Sequence, residues 1–271
     1  MLFSSVRNVE LLVLGALIAF GPLPGFSLDI RKEKDPLGPL NVTLDYGLAT
    51  TWPTQQNVNQ KVAKLNWQFS SHIVFAGRVG NSDENDPPIS DGQLWKIAED
   101  AHQEMIRDAE QYGILLNQVP RAMTILAWGN ETILASSMKG ASSFSYGFLN
   151  GDTPVGRSLQ QCQIVWRDTS SPTADKTRTH KNGGNYAEPM AAHLYYKNNG
   201  IDLQDKRARI GTWVTGDKEC RHGCSFLKAF FTANQGLRLL DKNTPLESCT
   251  LANLAGGPIT QDQIQLCGAP P

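Results

Sequence analysis

No charge of either sign predominates in this chain of 271 residues, where 25 Lys and Arg stand against 26 Asp and Glu. That balance removes the overall basic field by which proteins adhere to nucleic acid or anionic membranes, so any such contact has to be local. Long apolar runs are lacking after residue 26, and a membrane-spanning helix needs about 20 consecutive apolar residues. Internal repeats are lacking too, which argues against a solenoid. Cysteine is scarce, with five in the whole chain. A chain of this length buries a core of its own without needing disulfide staples.

The first 27 residues read differently from the rest. Leu11 to Phe26 is almost wholly apolar, with Arg7 ahead of it and Gly25-Phe26-Ser27 behind it as a small-x-small cleavage site. Gly21, Pro22, Pro24 and Gly25 break the run, which leaves its core too short for a transmembrane helix. The expectation is a secretory signal cleaved after Ser27 and a secreted protein; an uncleaved anchor is the alternative. Export would give meaning to two glycosylation sequons, Asn41-Val42-Thr43 and Asn130-Glu131-Thr132. It would also place Cys162, Cys220, Cys224, Cys249 and Cys267 in an oxidising compartment. Cys249 and Cys267 lie in a tail rich in Gly, Pro and Asn, where a bridge would fix a segment with little core, and they are expected to form a disulfide. Cys162 reads as a small buried hydrophobe.

Residues 28–89 carry charge, Pro, Asn and Gln without a sustained period and read as an N-terminal arm. Ser90-Asp91-Gly92-Gln93 is a capping box, and Leu94, Ala98, Ala101, Met105, Ala109 and Tyr112 follow at intervals of three and four. This predicts a helix, its far side a solvated face of Glu99, Asp100, Arg107, Asp108 and Glu110. Arg121–Trp128, Gly129-Asn130 and Thr132–Ala135 predict a β-hairpin. The stretch from Ser142 to Asn185 reads as a long loop with one strand candidate at Cys162–Trp166. Helices are predicted over Pro189–Asn198 and Ser225–Gln235, and strands over Arg207–Val214 and Leu237–Leu240. Helices alternating with strands point to an α/β core over 90–241 with a mixed sheet holding a hairpin and parallel strands, and a tail over 242–271.

Two helix openings carry residue types suited to chemistry: Asn185-Tyr186-Ala187-Glu188-Pro189 and Cys220-Arg221-His222-Gly223-Cys224. Parallel crossovers bring helix N-termini to one edge of a sheet, where an acid from one and thiolates from the other would share a pocket. The order of elements, the Ala-Glu-Pro opening one helix and the paired cysteines opening the next resemble the cytidine-deaminase-like fold, especially its secreted toxin-type members. The resemblance covers roughly Leu94 to Asp241. It implies a three-layer core and a zinc ion held by a His or Cys two residues before a Glu and by a Cys-x-x-Cys pair. Such a zinc lowers the pKa of its bound water while the Glu shuttles protons. By position Glu188 would be the proton shuttle and Cys220 and Cys224 the paired ligands.

The chain departs from that pattern in two places. Tyr186 stands where the family has His or Cys, and the cysteines are spaced Cys-x-x-x-Cys. His180 or His222 would then have to supply the nitrogen ligand, since catalytic zinc takes three protein ligands plus water. Other readings stand beside these: a local disulfide for Cys220 and Cys224, a helix-capping role for Glu188, packing roles for His193, Tyr195 and Tyr196, and no functional part for His72 and His102. Three functions follow: a secreted binding or effector protein with a degenerate zinc site, acting on an unidentified small molecule or host macromolecule; an active zinc-dependent deaminase of a nucleobase or related amino compound; or an unrelated secreted α/β domain.

Overall fold

The computed structural model describes residues 28–51, 66–85, 87–140, 144–147, 152–169, 181–215, 217–218 and 237–267. The leader expected over residues 1–27 and the helix expected over Ser225–Gln235 lie outside them.

The helix announced by the capping box runs from Asp91 to Gln111. Ser90 Oγ accepts from the Gln93 amide at 3.1 Å and Gln93 Oε1 accepts from the Ser90 amide at 2.9 Å, so two of the first-turn donors are satisfied reciprocally. Leu94, Ala98, Ala101, Met105, Ala109 and Tyr112 are all fully buried, as their spacing predicts. In chain order the elements are β1 (Thr43–Leu44), α1 (Tyr46–Thr51), β2 (Phe69–Phe75), α2 (Asp91–Gln111), β3 (Ala122–Trp128), β4 (Glu131–Ser136), α3 (Phe144–Gly147), α4 (Pro154–Thr169), α5 (Ala187–Asn198), β5 (Arg209–Val214), β6 (Asp217–Lys218), β7 (Arg238–Leu239) and β8 (Pro258–Asp262).

One sheet contains every described strand, with β2, β4, β3 and β5 side by side at its centre. Those four pair antiparallel, β1 and β8 pair with β2 at one edge, and β7 joins β5 in parallel at the other. The predicted hairpin is β3–β4, turned at Gly129, whose φ of +51° suits glycine. Because β3 lies antiparallel between them, β4 and β5 point the same way, and α5 makes the crossover.

Alternation along the strands buries both faces of the sheet. Phe69, Ile73, Phe75, Met123 and Ile125 face α2, whereas Leu126, Trp128, Ile133, Ala135 and Ile210 face α5 and its neighbours. Helices on both faces make a mixed α/β architecture of three layers. Tyr195 of α5 meets Trp128 edge to face at 5.1 Å and locks that helix to the hairpin.

Several expectations are corrected here. The described part of residues 28–89 is no arm: β2 is a central strand, and Leu40, Val42, Leu44 and Leu48 are buried in the core. The C-terminal tail contributes β8 to the same sheet. Cys162–Trp166 is not a strand but part of α4, which begins at Pro154 behind a cap: the Gly156 amide donates to Thr153 Oγ1 at 2.9 Å. Cys249 and Cys267 are both free, since Cys249 packs against the core on the α2 face and Cys267 against the core on the α5 face. The sheet separates the two thiols.

The far side of α2 is not wholly solvated either. Asp108 is fully buried and Glu104 nearly so. Asp108 Oδ2 accepts from the Leu44 amide at 2.8 Å and from Thr43 Oγ1 at 3.2 Å, while Glu104 accepts from the Leu40 and Val42 amides. These carboxylates receive the backbone donors of the segment leading into β1, which among the described strands pairs with β2 alone. No described helix is long and apolar enough to cross a membrane.

Candidate functional site

Helix α5 opens where the loop chain turns at Tyr186, an extended residue whose side chain makes no capping bond. Glu188 therefore sits in the first turn, where a carboxylate complements the helix dipole. Its Oε1 accepts from Thr212 Oγ1 at 2.8 Å, and Thr212 Oγ1 lies 2.7 Å from Thr124 Oγ1. A hydroxyl has one proton to give, so with Thr212 donating to Glu188, Thr124 must donate to Thr212. Thr124 and Thr212 are direct partners across β3 and β5, on the face that packs against α5. Both are buried, which makes the two hydroxyls a fixed cradle for one carboxylate oxygen. The bond to β5 ties Glu188 to the sheet, a part beyond that of a helix cap alone.

The neighbouring shell is fixed by local hydrogen bonds. Asn185 Oδ1 accepts from the Phe144 amide at 3.0 Å, and Asn185 O accepts from the Met138 amide at 3.0 Å. Ser145 Oγ donates to Gly184 O at 2.9 Å, and His193 Nε2 approaches Ser145 Oγ at 3.3 Å. With the serine proton committed to Gly184, Nε2 is the donor in that contact. Burial pushes the His193 pKa down to about 3, so the ring is neutral, and it packs edge to face on Phe144 at 5.3 Å. His193 and Tyr195 are packing residues, as the sequence suggests. Gly184 has φ +73°, a left-handed conformation that favours glycine.

Of the five residues expected to carry chemistry, Glu188 is described; His180, Cys220, His222 and Cys224 lie outside the described residues. The position that the resemblance gives to a first metal ligand is held by Tyr186, whose neutral phenol does not ligate zinc. No group of three His, Cys, Asp or Glu side chains suited to a metal ion occurs among the described residues. The described residues by themselves do not fit a zinc ion.

Thr124, Thr212 and Ser145 did not stand out in the sequence. The only signal for the two threonines is that they fall on one face of predicted strands among apolar neighbours, where a polar residue needs a partner. Comparison of the chain with protein-family models, with curated proteins and with solved structures gives no match in any of the three.

Proposed function

We propose that this chain is a secreted binding or effector protein of the deaminase-like class, built around Glu188 and lacking a complete zinc site. Glu188 carries the reading. Its carboxylate opens α5, is anchored through Thr212 and Thr124 to the two strands beneath, and so meets a ligand with its position already set. The described elements α2, β3–β4, α5, β5 and β7 keep the relative order expected of that class, with α3, α4 and β6 interposed and the helix expected over Ser225–Gln235 outside the described residues. Tyr186 supports binding over hydrolysis, because the deaminase mechanism needs a metal ligand at that position. The same anchored carboxylate favours a second reading, an active zinc-dependent deaminase with Cys220, Cys224 and His180 or His222 as ligands.

Metal analysis of the full chain purified without chelator, followed by an ammonia-release assay on cytidine and adenosine, separates the two. The binding reading expects zinc far below one per chain, no ammonia, and a cytidine-dependent rise in Tm that Glu188→Gln removes. Close to one zinc per chain, with ammonia release that Glu188→Gln abolishes, would establish the enzyme instead.

A further inference from the structure

His72 lies on the α5 face of β2, its side chain only 12% exposed, with a carboxylate at each ring nitrogen. Nε2 is 2.9 Å from Glu131 Oε2 on β4, and Nδ1 is 2.9 Å from Asp262 Oδ1 on β8. The sheet register explains the geometry, since His72 stands directly opposite Asp262 while Glu131 stands opposite Val74, the next residue on the same face. A neutral imidazole has one N–H and one lone pair, and only the protonated ring donates from both nitrogens. Loss of that proton therefore turns a lone pair toward one carboxylate at hydrogen-bond distance, and that contact has to open.

We propose that His72 is a proton-operated latch that holds β8 on the sheet when the ring is charged and releases it when the ring is neutral. Asp262 is the contact that opens. Its side chain is 63% exposed, on a five-residue strand whose only strand partner among the described residues is β2, with Gln261 further bonded to Pro39 O and Asn41 Nδ2, whereas Glu131 is more enclosed and sits in a central strand. The groups that act on the latch are Glu131 from β4, Asp262 from β8, Lys206 of the 3-10 turn Leu203–Lys206, which acts on Glu131, and Tyr195 of α5, which feels the Glu131 charge.

The latch controls more than one strand. Pro258 and Gln261 of β8, with Cys249 to Ala252 ahead of it, form one wall of a groove of about 640 Å³ whose other wall includes Glu104 and Arg107 of α2. Release of β8 loosens that wall, so access to the groove depends on pH.

Burial works to lower the His72 pKa, but the hydrogen bond to Glu131 and the Asp262 charge outweigh it and leave the pKa above its ordinary value. A raised histidine pKa gives stability that is fully present below about pH 6.5, the unfolded value, and is lost as pH rises through the higher folded value. The latch is thus closed in acid and opens as pH rises through that raised value.

Amide hydrogen exchange of the full chain over residues 259–263, corrected for the intrinsic pH dependence, tests the latch from about pH 5.5 to about pH 9. Protection is expected to fall by about tenfold through a midpoint above about pH 6.5, the lower end for a charge-assisted bond because Asp262 is exposed. Protection in β3 and α2 should not change with it. Asp262→Asn offers an amide N–H to the neutral ring and should keep β8 protected at high pH, while His72→Gln should remove the step at every pH. A pH-independent β8 in the unaltered chain, or a step that persists unchanged in Asp262→Asn, would overturn the latch; Asp262→Asn keeps the side-chain shape at an exposed position and keeps the test open if His72→Gln does not fold.

Discussion

A buried carboxylate is tolerable only where hydrogen bonds replace the water it has left, and Asp108 shows how closely that condition is met. Its two oxygens take the Leu44 amide, Thr43 Oγ1 and Gln111 Nε2, the last at 2.9 Å. Burial pushes its pKa up to about 6 while those donors pull the other way. Asp108→Ala leaves a backbone N–H and a hydroxyl unpaired in the interior, and urea unfolding should show a loss of about 2–4 kcal/mol. Asp100, four residues after Lys96 and bonded to it at 2.8 Å on the surface, should cost less than about 0.5 kcal/mol when changed to Ala. Equal losses would mean that the two acids share one kind of environment. The sequence presents them as two acids on one polar helix face. The difference comes from donors 64 and 65 residues away, at Leu44 and Thr43, which no helical periodicity can reveal.

Elements whose signals are local were legible before any coordinates. The capping box of α2 uses atoms three residues apart, and the β3–β4 hairpin needs one turn and its flanks, so both appear within a residue or two of the expected bounds. The strand expected within α4 follows from Ile164, Val165 and Trp166, whose side chains are β-forming in sequence. What decides is at its start, where Thr153 caps the helix and Pro154 takes the first turn, with Val155 and Leu159 burying one stripe; Ile164 is left 56% exposed and drives no strand. Thr153→Ala should therefore destabilise the protein by about 1 kcal/mol in urea unfolding, and Thr153→Ser should restore most of it. No difference between Ala and Ser would show that the hydroxyl is not the cap. Strand β2 had a signal of its own, Phe69, Ser71, Ile73 and Phe75 turned to one face, but its surroundings read as an arm, and its worth depends on partners at β4, β1 and β8.

At the scale of the whole molecule, opposing titrations set how stability responds to pH. Burial pushes Asp45 up to about 7 and Asp108 up to about 6, so each gives stability that is complete below about pH 4, the unfolded value, and is lost as pH rises through its folded pKa. His193, pushed down to about 3, and His102, also lowered by burial, act the other way, giving stability that is present above about pH 6.5 and lost on acidification. Between about pH 4.5 and about pH 6.5 the two aspartates thus lower stability as pH rises and the two histidines raise it. Relative to the unaltered chain, Asp45→Asn should make stability change with pH by roughly 1 kcal/mol per unit in the rising direction, and His193→Phe by a similar amount in the falling direction, in thermal and urea unfolding. Variants whose profiles match that of the unaltered chain would show that these buried groups do not titrate in this window.

Charge balance, the long amphipathic helix and its cap, the hairpin, helix α5 and strand β5 were determined by the sequence alone, since each rests on composition or on neighbours within one turn of chain. Only the tertiary structure decided that residues 28–89 and the C-terminal tail belong to the sheet, that Cys249 and Cys267 lie on opposite faces, that Thr124 and Thr212 anchor Glu188, and that His72 bridges two carboxylates. Each of these joins residues far apart in the chain. Such contacts form only when burial of both sheet faces selects one register, and a one-residue slip in any strand would turn the same side chains to the other face.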